Sequence, residues 1–72
     1  MKKHITQSAI DTLAQDYNSA HRSMRINNLN GNQAGADIEY NVMIAYANAF
    51  GILTGQDYDT ARMMLRKRAG IV

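Results

Sequence analysis

The chain has 72 residues with no Cys and no Pro, which makes one domain and excludes disulfides, cysteine-based zinc sites and proline breaks in its helices. Eight Lys and Arg against six Asp and Glu leave a net charge of +2, so the pI of 9.2 reflects two charges in a small chain rather than a strongly basic protein. A hydrophobic content of 46% excludes a disordered polyelectrolyte and suits a packed helical fold.

The N-terminal Met1-Lys2-Lys3-His4 has the basic start of a secretion signal. Thr6, Gln7, Ser8 and Asp11 then interrupt the apolar run that such a signal needs. The longest apolar run, Val42 to Ala47, falls far below the roughly 20 residues of a membrane span. These features predict a cytoplasmic protein with no membrane partner.

A first helix is predicted over about residues 6–27. Ile10, Leu13, Tyr17, Ala20 and Met24 recur at three- and four-residue spacing and share one face. Thr6 is its expected N-cap. Asn27, Asn28, Asn30, Gly31, Asn32 and Gly35 then form a polar breaker, because Asn and Gly tolerate the left-handed conformation that ends helices.

A second helix is predicted over about residues 37–53, and it is apolar on nearly every side. Asn41 and Asn48 alone make a narrow polar stripe. A helix hydrophobic all round must be buried, and a chain this short has little else to bury it with. That predicts a homo-oligomer, most simply a twofold dimer, with Tyr40, Met43, Ile44, Ala47, Phe50 and Gly51 at the interface. The pairs Ala45/Ala49 and Ala47/Gly51 suit a close helix approach, and helices one and three of the same chain are the competing occupants. If the Asn stripe faces a second copy, Asn41 and Asn48 specify register; if it faces water, it is an exposed edge.

A third helix is predicted over about residues 57–69, with Asp57 as N-cap, Gly70 as stop, and Tyr58, Ala61, Leu65 and Ala69 on the inner face. Charge placement agrees with these boundaries. Asp37, Glu39, Asp57 and Asp59 fall at helix starts. Arg22, Arg25, Arg66, Lys67 and Arg68 fall at helix ends, as the macrodipole favours. In an antiparallel hairpin Arg22 and Arg25 would approach Asp37 and Glu39. The fold class is therefore all-α: a helical hairpin or small three-helix bundle with a central apolar helix, in an oligomer.

No catalytic signature is present. Ser8, Ser19 and Ser23 have no motif around them, and the stretch Asn30 to Gly35 lacks the strand and Lys of a P-loop. His4 and His21 lie too far apart to form a metal site. His21, beside Tyr17 and near Arg25, reads as a partly buried ring; a general base and an anion ligand are the other roles open to it. No cofactor is expected. Ala47, Gly51 and Ile52 resemble the turn of a helix-turn-helix motif, but Asp57 and Thr60 stand where its recognition helix needs buried apolar residues.

The leading expectation is a non-enzymatic binding or regulatory protein acting through protein–protein contacts. In format alone, short and helical without catalytic motifs, the chain looks like the accessory and inhibitor proteins of phages and other mobile elements. Two alternatives stand beside it. Arg62, Arg66, Lys67 and Arg68 could contact the phosphates of a nucleic acid. The tyrosines with Arg22, Arg25 or Arg62 could capture a small anion at a subunit interface.

Overall fold

The computed structural model describes residues 7–71 and contains three helices, α1 (Gln7–Leu29), α2 (Gln33–Thr54) and α3 (Tyr58–Arg68). Among the described residues there is no strand. The expected N-cap Thr6 and residue His4 lie outside them.

α1 and α2 run antiparallel as a long hairpin. At 1.5 Å per residue their 23 and 22 residues each span about 33–35 Å, whereas the 11 residues of α3 span about 16 Å. The third helix therefore covers about half of the hairpin. The molecule is accordingly elongated, 49 × 21 × 19 Å.

The hairpin seam is built from Ala14, Tyr17 and Ala20 of α1 against Met43, Ala47 and Phe50 of α2. Ala61 and Leu65 of α3 close the same core. Ile10, Leu13, Met24, Tyr58 and Ala69 pack against its edges, half-buried. The inner faces thus follow the three- and four-residue spacing of the sequence. Small residues decide how close the helices come. A Cβ placed on Gly51 would lie 3.2 Å from Ala61 Cβ and 2.8 Å from the Gln56 carbonyl oxygen, so Gly51 is where α3 and its connection press on α2.

This packing corrects the expected interface. Met43, Ala47, Phe50 and Gly51 are buried within the single chain, because α1 and α3 already cover that face of α2. Fully covered side chains offer a second copy nothing to touch. Tyr40 and Ile44 keep part of their surface.

All three helices end on a glycine with positive φ: Gly31 (75°), Gly55 (73°) and Gly70 (79°). Each end has the paired hydrogen bonding of a Schellman turn or its longer bond. After α1 the Asn32 N–H donates to the Asn27 carbonyl (2.8 Å) and the Gly31 N–H to the Asn28 carbonyl (3.1 Å). The left-handed residue is Gly31, not an Asn, so α1 runs two residues past the expected end at Asn27.

α2 begins earlier than expected for a similar reason. Asn32 is its N-cap, with Oδ1 accepting from the Gly35 N–H at 3.0 Å. Gln33, Ala34 and Gly35 are therefore the first turn rather than loop. The charges shift accordingly. Asp37 and Glu39 are not in the first turn of α2, nor are Arg22 and Arg25 in the last turn of α1. Asp37 instead accepts a hydrogen bond from Gln33 Nε2 at 2.8 Å. Arg22 and Arg25 make no ion pair with Asp37 or Glu39.

α3 starts and stops as its sequence indicates. Asp57 caps it, with Oδ1 accepting from the Thr60 N–H at 2.8 Å. That bond holds the Asp57 carboxyl below its ordinary pKa. Asp59 sits in the first turn and Arg66, Lys67 and Arg68 in the last.

Candidate functional site

Two surfaces stand out once α3 is in place. The first is the outer face of α2. Ala34, Ile38, Asn41, Ala45, Asn48 and Ile52 follow one another at alternating spacings of four and three residues, and all are exposed. They form one line along the helix, opposite the buried Ala36, Met43, Ala47 and Phe50. Ile38 is 62% exposed and Ile52 82%. No residue between Glu39 and Asp57 carries a charge, so the line has almost none of the polarity that usually faces water on a surface helix. Both Asn41 and Asn48 belong to this exposed line.

The second is a cleft of about 410 Å³ at the step where α3 crosses the hairpin. Tyr17, His21 and Met24 of α1 line one side and Tyr40, Met43 and Ile44 of α2 the other. Tyr58, Arg62 and Arg66 of α3 complete it. Its volume falls in the range of small-molecule sites, roughly 300–1,000 Å³. The lining contains two guanidinium groups and one imidazole and no carboxylate. His21 is held below its ordinary pKa by partial burial, then by the positive charges of Arg66 and Arg25.

The basic side chains therefore divide. Arg62 and Arg66 are half-buried and line the cleft. They also border a furrow of about 360 Å³ on the far side of α3, with Met63, Lys67, Gly70 and Ile71. Lys67 is exposed on that outer side. Arg68 turns to α1 and pairs with Asp11 at 3.6 Å, an exposed contact of small energy. Arg22 and Arg25 are exposed on α1 and lie outside the cleft lining. The expected anion contacts thus come together in two places, Arg62 and Arg66 with His21 in the cleft and the same two arginines with Lys67 along the furrow.

The α2–α3 junction does not have the helix-turn-helix arrangement: Ile52 points to solvent and Thr60 is exposed. Among the described residues no three His, Asp or Glu side chains are grouped to hold a metal ion, and no helix is long and apolar enough to cross a membrane.

Sequence reasoning missed the cleft because its residues come from three helices, and helix-by-helix periodicity assigns Tyr17, Met43 and Tyr58 simply to the core. It also missed the exposed line through Ala34, since the first turn of α2 was read as loop.

No protein-family model, no curated protein and no solved structure matches this chain.

Proposed function

We propose that this chain is a non-enzymatic helical binding protein that works through protein–protein contact, with the outer face of α2 as its contact surface and a second copy of the chain as the occupant. The observation that carries the reading is the uncharged line Ala34, Ile38, Asn41, Ala45, Asn48 and Ile52, exposed along the whole of α2. From Ala34 to Ile52 it extends about 27 Å.

The alternation of four and three is the spacing of a coiled-coil seam, in which apolar and small residues meet across the pair. Ile38 and Ile52, one in each half of the line, offer burial, at about 25 cal/mol per Å² of apolar surface removed from water. Ala45 at the centre lets the backbones approach. Asn41 and Asn48, seven residues apart, would meet polar partners only in one register, which gives specificity at some cost in stability. A twofold contact needs a self-complementary surface, and an uncharged line repels no copy of itself.

The reading places the partner surface on the side of α2 away from α1 and α3, in exchange for the buried Met43, Ala47, Phe50 and Gly51. It leaves the role of a regulatory or accessory subunit, whose output depends on assembly rather than catalysis.

The test is light scattering in line with size exclusion across protein concentration, on wild type, Ala45→Arg and Ile52→Glu. Both substitutions lie at exposed sites, so circular dichroism should show each variant folded. A wild-type dimer that dissociates in both variants supports the reading. A monomer at every concentration, or a dimer that ignores both substitutions, overturns it.

A further inference from the structure

We propose that Asn30-Gly31, at the turn between α1 and α2, is a site of spontaneous deamidation, a chemical modification that rewrites the backbone of the turn without an enzyme. The site is independent of the α2 outer face, so either reading can fail alone.

The two residues supply the reaction between them. The backbone nitrogen of Gly31, having lost its proton to solvent, attacks the Asn30 side-chain carbonyl carbon. A bond forms between Gly31 N and Asn30 Cγ, the bond from Cγ to Nδ2 breaks, and the amide takes up a proton and leaves as ammonia. The product is a five-membered succinimide ring. Water then opens the ring at one of its two carbonyl groups. One opening gives aspartate. The other gives isoaspartate, in which the chain runs through the former side chain. Water is the only co-reactant. A glycine in second place matters because no Cβ stands beside its nitrogen to hinder ring closure. Asn30 is the only Asn of the chain that Gly follows.

The structure leaves this pair open to the reaction. Asn30 and Gly31 are exposed and lie between the helices. Apart from its chain neighbours, no atom lies within 4 Å of the point where a Cβ on Gly31 would stand. The other Asn residues are restrained. Asn18, Asn27, Asn28, Asn41 and Asn48 stand within α1 or α2, where the helix fixes the backbone around them. Asn32 is engaged as the cap of α2: its Oδ1 accepts from the Gly35 N–H at 3.0 Å, and its Nδ2 donates to Asn27 Oδ1 at 3.4 Å. The Asn30 amide makes no such bond among the described residues.

The turn itself is the gate. The Gly31 N–H donates to the Asn28 carbonyl at 3.1 Å, and a nitrogen so engaged neither loses its proton nor turns to Asn30 Cγ. The reaction therefore proceeds from the opened turn, at an exposed junction where local opening costs little. Its isoaspartyl product has one more carbon in the backbone between Asn28 and Asn32. The two bonds that close the turn, Gly31 N–H to Asn28 and Asn32 N–H to Asn27, need the original chain length. The new carboxylate acts in opposite directions, unfavourably at the C-terminal end of α1 and favourably ahead of the N-terminus of α2. The longer backbone, rather than the charge, is what loosens the hairpin.

The test is incubation of the folded protein at neutral and at mildly alkaline pH, followed by intact mass, peptide mapping and labelling with an isoaspartyl methyltransferase. A mass gain of one dalton should appear, map to Asn30 and grow several-fold faster at the higher pH, with isoaspartate exceeding aspartate. Asn30→Gln, which would have to close a larger ring, should abolish it. Asn32→Ala, which removes the α2 cap, should accelerate it several-fold because the turn opens more often; circular dichroism checks that this variant is folded. The purified isoaspartyl form should melt below wild type, whereas Asn30→Asp, which has the charge without the longer backbone, should melt close to it. The proposal is overturned if the folded protein gains no mass while the urea-unfolded chain does, if another Asn reacts first, if folded Asn32→Ala reacts no faster, or if the isoaspartyl form melts with wild type.

Discussion

Gly51→Ala tests the α2–α3 contact at the point where two effects oppose each other. In an isolated helix the change would stabilise, since Ala exceeds Gly in helix propensity by about 0.8–1 kcal/mol. Here the new methyl group would lie 2.8 Å from the Gln56 carbonyl oxygen and 3.2 Å from Ala61 Cβ. The second contact can yield by a few tenths of an ångström. The first is with backbone, and that backbone is held on both sides. The Gln56 N–H donates to the Gly51 carbonyl at 2.9 Å, and Asp57 directly follows as the cap of α3. Moving the Gln56 oxygen therefore means breaking the α2 stop or displacing α3 with Leu65, which is 0% exposed. Overpacking of this kind costs about 1–3 kcal/mol. After the propensity gain, a net loss of up to about 2 kcal/mol is expected. In a domain of this size each kcal/mol moves Tm by roughly 4–8 °C. The assay is thermal unfolding by far-UV circular dichroism at one fixed protein concentration, because assembly would itself shift Tm. A Tm for Gly51→Ala at or above wild type would refute the assignment of Gly51 as the site of closest approach.

Two further substitutions probe the same helix. Leu65→Ala removes the largest fully buried aliphatic side chain from α3 and should cost about 2–5 kcal/mol; denaturant unfolding should show the midpoint collapsing toward zero, and a loss below about 1 kcal/mol would mean that α3 packs elsewhere. The cap at Asp57 makes a pH prediction. Its folded pKa is depressed below 3.8 by the hydrogen bond from Thr60, so its contribution is present above pH 3.8 and is lost as pH falls through the folded value. Asp57→Asn keeps a capping side chain without a titrating carboxyl; the stability difference between wild type and this variant should vanish on acidification, and a difference constant with pH would refute the ionised cap.

The sequence by itself determined the class of fold and most of what faces inward. Three helices, the inner positions Tyr17, Ala20, Ala61 and Leu65, the cap at Asp57 and the stop at Gly70 all follow from local rules: a 3.6-residue period, side chains that cap N–H groups, and glycine at a left-handed position. Local rules also located the turn near Gly31, but not the ends of α1 and α2. Those ends depended on which of several Asn and Gly residues took the left-handed and capping positions, and Gly31 and Asn32 did so. Only the tertiary structure decided what covers α2. Its apolar content raised the need for a partner, yet α1 and α3 satisfy it on one face through Met43, Ala47, Phe50 and Gly51 and leave the opposite face bare. Periodicity along one helix cannot separate those faces when both are uncharged. The same holds for the cleft: Tyr17, His21, Tyr40, Tyr58, Arg62 and Arg66 become neighbours only because a half-length α3 stops partway across the hairpin, and its length relative to α1 and α2 sets where that step falls.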